Sequence, residues 1–412
     1  MSGIRSVERV FSNEIKELNN KINAFVSFNE KAIEEAEKVE KNGMEPIPIG
    51  IKDIIYTKGL KTTMGSRVFI NFIPQRDSYI VKRLKRLGYV IVGKTNTHEF
   101  ASGITTTSSV FGPTRNPIDL NRIAGGSSGG SAASASASIV PIAIGTDTAG
   151  STRVPASLCG IYGYKPSYGK ISIDGIFPLA PSFDTVGFLS KELKWIIRIA
   201  KEFDLYKEDE VKRIKLGIPR WYMPAEATWP EYQSIIEKVR SSFLDFISTK
   251  SIDYKEVDMP LTSKYLWRYF SAIRYSEGTY VHIKYKEKWD LYFPDVRRLV
   301  EKGLNYSAID YIEAVYKRRE VFDEFKKVLK DVDALITPTT LIYAPTINEV
   351  LGKEDGTVRS VLTYETLFAS FVDAPSISIP SLTIDGMPVG IQIIGGKGED
   401  SKVLNIAKVL SA

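Results

Sequence analysis

The chain has 412 residues, 43% of them hydrophobic and 25% charged, with a net charge of +6; this is a globular composition, long enough for one large domain or two ordinary ones. No apolar run reaches the roughly 18 residues of a membrane helix, the N-terminus lacks an apolar signal core, and the lone Cys159 excludes an internal disulfide. A cytoplasmic protein with no membrane partner is expected. Lysines alternate with glutamates over Lys31–Lys41 and Lys284–Lys288 as on solvated faces, so the excess charge makes no case for nucleic acid.

In chain order, residues 5–42 read as two Glu- and Lys-rich helices broken near Asn19–Asn23. Ile47–Ile55 is apolar and β-branched, the pattern of a buried strand, with Lys52 and Asp53 set into it. Arg76–Gly88 predicts a helix with Ile80, Leu84 and Leu87 on one face, and Tyr89–Gly93 a strand after it. This strand–helix–strand rhythm predicts an α/β core. From Gly125 to Gly169 the composition shifts to Gly, Ser, Ala and Thr. A Gly/Ser loop, Gly125–Ser131, leads into a small-residue helix over Ala132–Ser138, a buried strand over Ile139–Gly145 and a polar loop over Thr146–Pro155. Segments 191–206, 232–250, 262–288 and 306–330 read as helices layered on or capping the core. Strand signals return at Ala334–Thr337, Ser376–Pro380 and Val389–Ile394, and a closing helix opens at Asp400. If these strands join the first sheet, the chain is one discontinuous domain.

Two histidines narrow the chemistry. The fourth residue after His98 is Ser102, so there is no His-Glu-x-x-His pair, and His282 stands alone in an aromatic stretch. With no cluster of His, Cys and carboxylates, no metal and no cofactor are expected. A nucleophile here needs a base other than histidine. The Gly/Ser loop lacks the Gly-Lys-Ser/Thr ending of a phosphate cradle, and its apolar flanks are unlike those of a linker.

The motifs around that loop stand in a telling order: Pro48-Ile-Gly-Ile-Lys-Asp53, Arg115-Asn-Pro117, Gly125-Gly-Ser-Ser-Gly-Gly-Ser131, Gly145-Thr-Asp-Thr-Ala-Gly-Ser-Thr-Arg-Val-Pro155, Cys159-Gly-Ile-Tyr-Gly-Tyr-Lys-Pro-Ser-Tyr-Gly169 and Gly386-Met-Pro-Val-Gly-Ile-Gln392. Together they closely resemble the amidase signature family, over nearly the whole chain and least over 190–330. The resemblance implies an α/β fold with a large mixed β-sheet core covered by helices on both faces. It implies one domain over 1–412, with 190–330 a helical, substrate-shaping portion within it. It further implies an amidase that hydrolyses a linear carboxylic amide to an acid and ammonia or an amine through an acyl-enzyme. In that scheme Ser151 is the nucleophile, Ser127 a bridging serine preceded by a cis peptide bond, and Lys52 the base.

The backbone N–H groups of Thr148, Ala149, Gly150 and Ser151 match the family's oxyanion hole, and Ala101-Ser102-Gly103 a substrate-lining loop. Ser128, Asp147 and Arg153 are expected behind the reacting groups, the last two as an ion pair bracing the loop. Ala149 departs from the usual Gly; a tolerable φ and a methyl that trims the pocket are expected. The expected partner is a small-molecule amide, with a homodimer open to the chain. The alternative is the glutaminase (A) subunit of a glutamyl-/aspartyl-tRNA amidotransferase complex, whose partners would be tRNA and further subunits. Gly175–Gly187 and His98–Thr105 resemble the free-standing amidases more, and that reading is favoured.

Physical chemistry stands beside the resemblance. A lysine at its free pKa of about 10.4 is neutral in only about one molecule in 10³ at pH 7, and burial lowering it by roughly three units would make it a base. An ion pair between Lys52 and Asp53 is disfavoured because adjacent strand residues face opposite sides. Cys159 reads as a small buried residue. Trp267 and Phe270 share a helical face with Leu266 and Ile273, the pattern of core.

Overall fold

The structure is a computed structural model that describes residues 3–209, 213–220, 229–250 and 252–411. Its N-terminal portion differs from the expected pair of helices. Helices Gly3–Val10 and Asn13–Ile22 are separated at Ser12, whose Oγ accepts from the Ile15 N–H as an N-cap. Asn23 ends the second with a left-handed φ of 52°, and its amide donates to the Phe111, Gly112 and Pro113 carbonyls. The break is thus near its expected place, but a strand follows it before the third helix, Ala32–Lys41. Phe25–Phe28 is four residues long and only its first residue is buried, too little to register as a periodic pattern.

Among the described residues eleven strands form one sheet: β1 Phe25–Phe28, β2 Ile47–Lys52, β3 Tyr89–Thr95, β4 Ile142–Asp147, β5 Tyr162–Lys165, β6 Thr185–Ser190, β7 Lys215–Pro219, β8 Asp253–Val257, β9 Ala334–Pro338, β10 Ser376–Ile384 and β11 Met387–Ile394. Their order is β1-β3-β2-β4-β6-β5-β10-β11-β9-β7-β8. β2 is parallel to β3 and β4, and β7 to β8 and β9, while the remaining neighbours are antiparallel. The sheet is therefore mixed, as expected, and the C-terminal strands join the N-terminal ones through β5 and β10.

Alternation decides which face each side chain takes. Ile49, Ile51, Ile142 and Ile144 pack into one core with Leu84 and Ile196, whereas Ala143 and Leu189 pack with Ala132 and Ala133 on the opposite side. Helices cover both faces. The region 190–330 is not purely helical. β7 and β8 lie within it and extend the sheet to its far edge. β8, Asp-Tyr-Lys-Glu-Val, has four exposed residues of five, so it carries the charge of an edge strand rather than an apolar run. The long helices Pro260–Ile283 and Ala308–Val328 pack on each other. No helix among the described residues is long and apolar enough to cross a membrane.

Candidate active site

β2 carries Lys52 to its C-terminal end, fully buried. The Lys52 Nζ donates to three hydroxyls: Ser127 Oγ at 2.6 Å, Thr146 Oγ1 at 2.8 Å and Ser128 Oγ at 2.9 Å. None is a charge partner. Burial pulls its pKa down from 10.5 to about 7, against the more distant pull upward of Asp147 and Asp184. Asp53 takes no part. It is bonded to the backbone and hydroxyl of Thr63, burial lifts its carboxyl to about 6, and the charge it feels most is that of Lys94.

Why the serines reach Lys52 is a matter of small side chains. The helix Gly129–Ser136 starts directly after them and lies on β4 and β2. On β4, a Cβ at Gly145 would meet Ser128 Oγ at 2.7 Å, so the glycine admits the loop. The Gly126–Ser127 peptide bond is cis. Ser128 Oγ donates to the Thr146 carbonyl and accepts from its N–H, both at 3.2 Å, and its own N–H donates to the Ser151 carbonyl at 3.2 Å. The loop bearing Ser151 is thereby tied to the loop bearing Ser127. Exposure rises outward, from none at Lys52 and Ser127 to 4% at Ser151 and 7% at Ala149.

Asp147 and Arg153 brace this loop, both fully buried, with Arg153 Nε to Asp147 Oδ2 at 3.0 Å and Nη2 to Oδ1 at 2.9 Å. Burial is the largest single influence on the Asp147 carboxyl and would raise it, but the charge and hydrogen bonds of Arg153, the Lys165 charge and the Thr152 N–H together outweigh it and the net direction is down. Arg153 also donates to the Thr366 carbonyl at 2.8 Å. At the loop's start, Thr148 Oγ1 donates to Asp184 Oδ1 at 2.6 Å. The Gly150 N–H donates to Asp147 Oδ1 at 2.8 Å, which leaves Thr148, Ala149 and Ser151 as candidate oxyanion donors. The left-handed backbone falls on Gly150, with φ of 120°, and not on Ala149. A Cβ on Gly150 would lie 2.2 Å from Thr366 Oγ1, whereas the Ala149 methyl has its place on a cavity wall.

Ser102, in the predicted substrate loop, accepts from Arg274 Nη2 at 2.8 Å. Its neighbour Ala101 is buried with φ of 57°, and Gly103 packs on the His98 ring, where a Cβ would clash at 2.2 Å. His98 Nε2 meets Asp295 Oδ2 at 2.9 Å, and Ser108 Oγ donates to the other oxygen of that carboxylate. The serine sits on the acid rather than on the imidazole, so this is no Ser-His-Asp relay. His282 bonds to the Tyr292 hydroxyl at 2.9 Å, and burial depresses its pKa to about 3. Cys159 is buried with its thiol pushed well up, donating to the Ala124 carbonyl. Trp267 stacks on Tyr364 and Phe270 on Phe183, core contacts as expected, yet both also line the cavity beside Ala149. Thr146, Thr366 and Arg274 escape a reading of the sequence. Thr146 lies inside one of the motifs, but nothing in its place there shows a hydroxyl turned to Lys52.

A sequence model of the family described as Amidase matches residues 6–404. The chain is 34% identical to the A subunit of the glutamyl-tRNA(Gln) amidotransferase of Thermotoga maritima, over 96% of this chain and 89% of that one. A solved structure described as an amidase superposes with a TM-score of 0.89 at 29% identity, covering 100% of this chain and 96% of the other. The solved structure of the Thermotoga maritima amidotransferase protein superposes with a TM-score of 0.78 at 30% identity, covering 99% and 90%.

Proposed function

The chain belongs to the amidase family, and from that premise we propose that it hydrolyses a carboxylic amide to an acid and ammonia or an amine through an acyl-enzyme on Ser151. The observation that carries this reading is Lys52, buried, held at a pKa of about 7 and hydrogen-bonded only to hydroxyls. Such a lysine is half neutral near pH 7 and has a hydroxyl at 2.6 Å from which to take a proton. Neutral Lys52 takes the proton of Ser127, and Ser127 takes that of Ser151 as its Oγ attacks the amide carbon. The N–H groups of Thr148, Ala149 and Ser151 would donate to the oxygen on which charge develops. The proton returns along the same path to the leaving nitrogen, and water repeats the sequence to release the acid. The Asp147–Arg153 pair fixes the loop without entering the proton path.

Treating the protein with a fluorophosphonate and measuring intact mass tests the nucleophile. One adduct is expected on the native chain and none on Ser151→Ala; an unlabelled native chain or a labelled variant would remove Ser151 from the scheme. The 34% identity to an amidotransferase component supports a second reading, a glutaminase working within a complex. Release of ammonia from simple amides by the purified chain alone favours the free-standing enzyme, and turnover of glutamine only with added partner proteins favours the other.

A further inference from the structure

A cavity of about 250 Å³ opens against Ala149, two residues before the proposed nucleophile. Three cationic side chains line it, Arg274, Lys302 and Arg359, with a single lining carboxylate, Asp355. Asp355 is already taken, because Arg298 donates to it twice at 2.8 and 2.7 Å. Arg274 is 2% exposed. Its Nη2 donates to Ser102 Oγ, its guanidinium lies 4.7 Å from the Tyr275 ring centroid, and its Nε has no hydrogen-bond partner. Among the described residues no carboxylate lies within ion-pair distance of Arg274. Burial, then the neighbouring Arg359 charge, pulls its pKa down to about 9. Tyr275 reports the same field. Burial pushes its phenol up, but Arg359, Arg274 and Lys302 together outweigh burial and the net direction is down.

A buried guanidinium beside a like charge, with one donor unsatisfied, is unfavourable, and an anion in the cavity that it lines would offset that cost. The planar fork of arginine matches a carboxylate. We propose that this cavity holds a carboxylate carried by the substrate itself, so that the enzyme cleaves amides that are anions, with Arg274 and Arg359 setting that specificity. This rests on the serine-amidase reading above. The volume suits a short chain, as in the monoamide of a small dicarboxylic acid, where the carboxylate is on the acyl side. In an N-acylated amino acid it would leave with the amine.

The test compares kcat/KM for succinamate with that for 4-methylpentanamide, in which an isopropyl group replaces the carboxylate, and for N-acetylglycine with that for N-ethylacetamide. A preference of about 100-fold for the anion is expected in one pair, and which pair shows it identifies the side bearing the carboxylate. Arg359→Gln, at a half-buried position, should shrink that ratio about 30-fold, and Arg274→Gln at least as much. Equal rates within both pairs, or a ratio that neither variant alters, would overturn the proposal. Binding of succinamate and N-acetylglycine to Ser151→Ala, followed by calorimetry, needs no chemistry. Binding of either that weakens about 30-fold on adding Arg359→Gln supports the pocket even if no amide turns over and no phosphonate labels the protein, an outcome that would instead sink the catalytic reading. Failure of both to bind at millimolar concentration sinks the pocket alone.

Discussion

Lys52, Ser128 and Thr146 meet where two neighbouring parallel strands and one loop converge, and every contact among them is made by a short hydroxyl or by a lysine fixed in the sheet. Arg274, Ser102 and Arg359 come instead from a helix, a loop and a second helix far apart in the chain, Arg274 and Ser102 being 172 residues apart. The first arrangement needs close backbones, so it is written in small residues such as Gly145, and little in it can move without loss. The second uses long side chains that span distance, and under the proposal above its charge sets what enters. In the proposed scheme, reaction and selection are thus built from different materials on either side of Ala149.

The largest effect that would sharpen this contrast is expected at Lys52. Lys52→Ala should lower kcat/KM by about 10³-fold or more, since it removes the proposed base, while Asp53→Asn should cost far less. Comparable losses would contradict the base assignment. The native pH profile carries the same test. Only neutral lysine accepts a proton, and below its pKa of about 7 the neutral fraction falls tenfold per unit. kcat/KM should therefore decline on the acid side of about pH 7, and a flat profile from pH 5 to 8 would separate Lys52 from the chemistry.

A smaller effect is expected at Thr146, which lies in the same cluster but outside the proton path. Its hydroxyl accepts from Lys52 at 2.8 Å, so it favours the charged lysine. Thr146→Val should lower kcat/KM at pH 8 by about tenfold, because a buried donor loses its acceptor. It should also move the acid limb to lower pH. A limb that stays in place, or moves up, would show that Thr146 does not tune Lys52.

How far this was legible in the sequence follows the same division. The lysine strand, the serine loops and the Asp147–Arg153 pair lie in short contiguous motifs, and β2, β3, β4, β9, β10 and β11 are apolar enough to be read directly, whereas β5 and β6 at the centre of the sheet escape that reading. β8 was hidden because an edge strand exposed on four of its five residues has no apolar period. The cationic cavity was hidden for a different reason. Arg274 sits on a helix whose apolar stripe signals only core, and Arg359 in a seven-residue helix with no motif, so their meeting depends on packing between distant segments. Trp267 and Phe270 show the limit of periodicity as a guide, since it identified core residues that also form a wall.

The smallest effect is expected where the two regions touch. Ala149 holds its carbonyl to Thr366 Oγ1 at 2.7 Å and turns its methyl to the cavity, while the positive φ is taken by Gly150 beside it. Ala149→Gly therefore relieves no strain and breaks no hydrogen bond. It removes one methyl from a wall and adds backbone freedom worth about 0.5–1 kcal/mol to the unfolded chain. kcat/KM for a small amide should stay within about threefold of the native value, and the melting temperature should drop by no more than a few degrees. A collapse in rate at unchanged stability would mean that the methyl holds the oxyanion loop in its working geometry. The boundary between reaction and selection would then run through Ala149 itself rather than beside it.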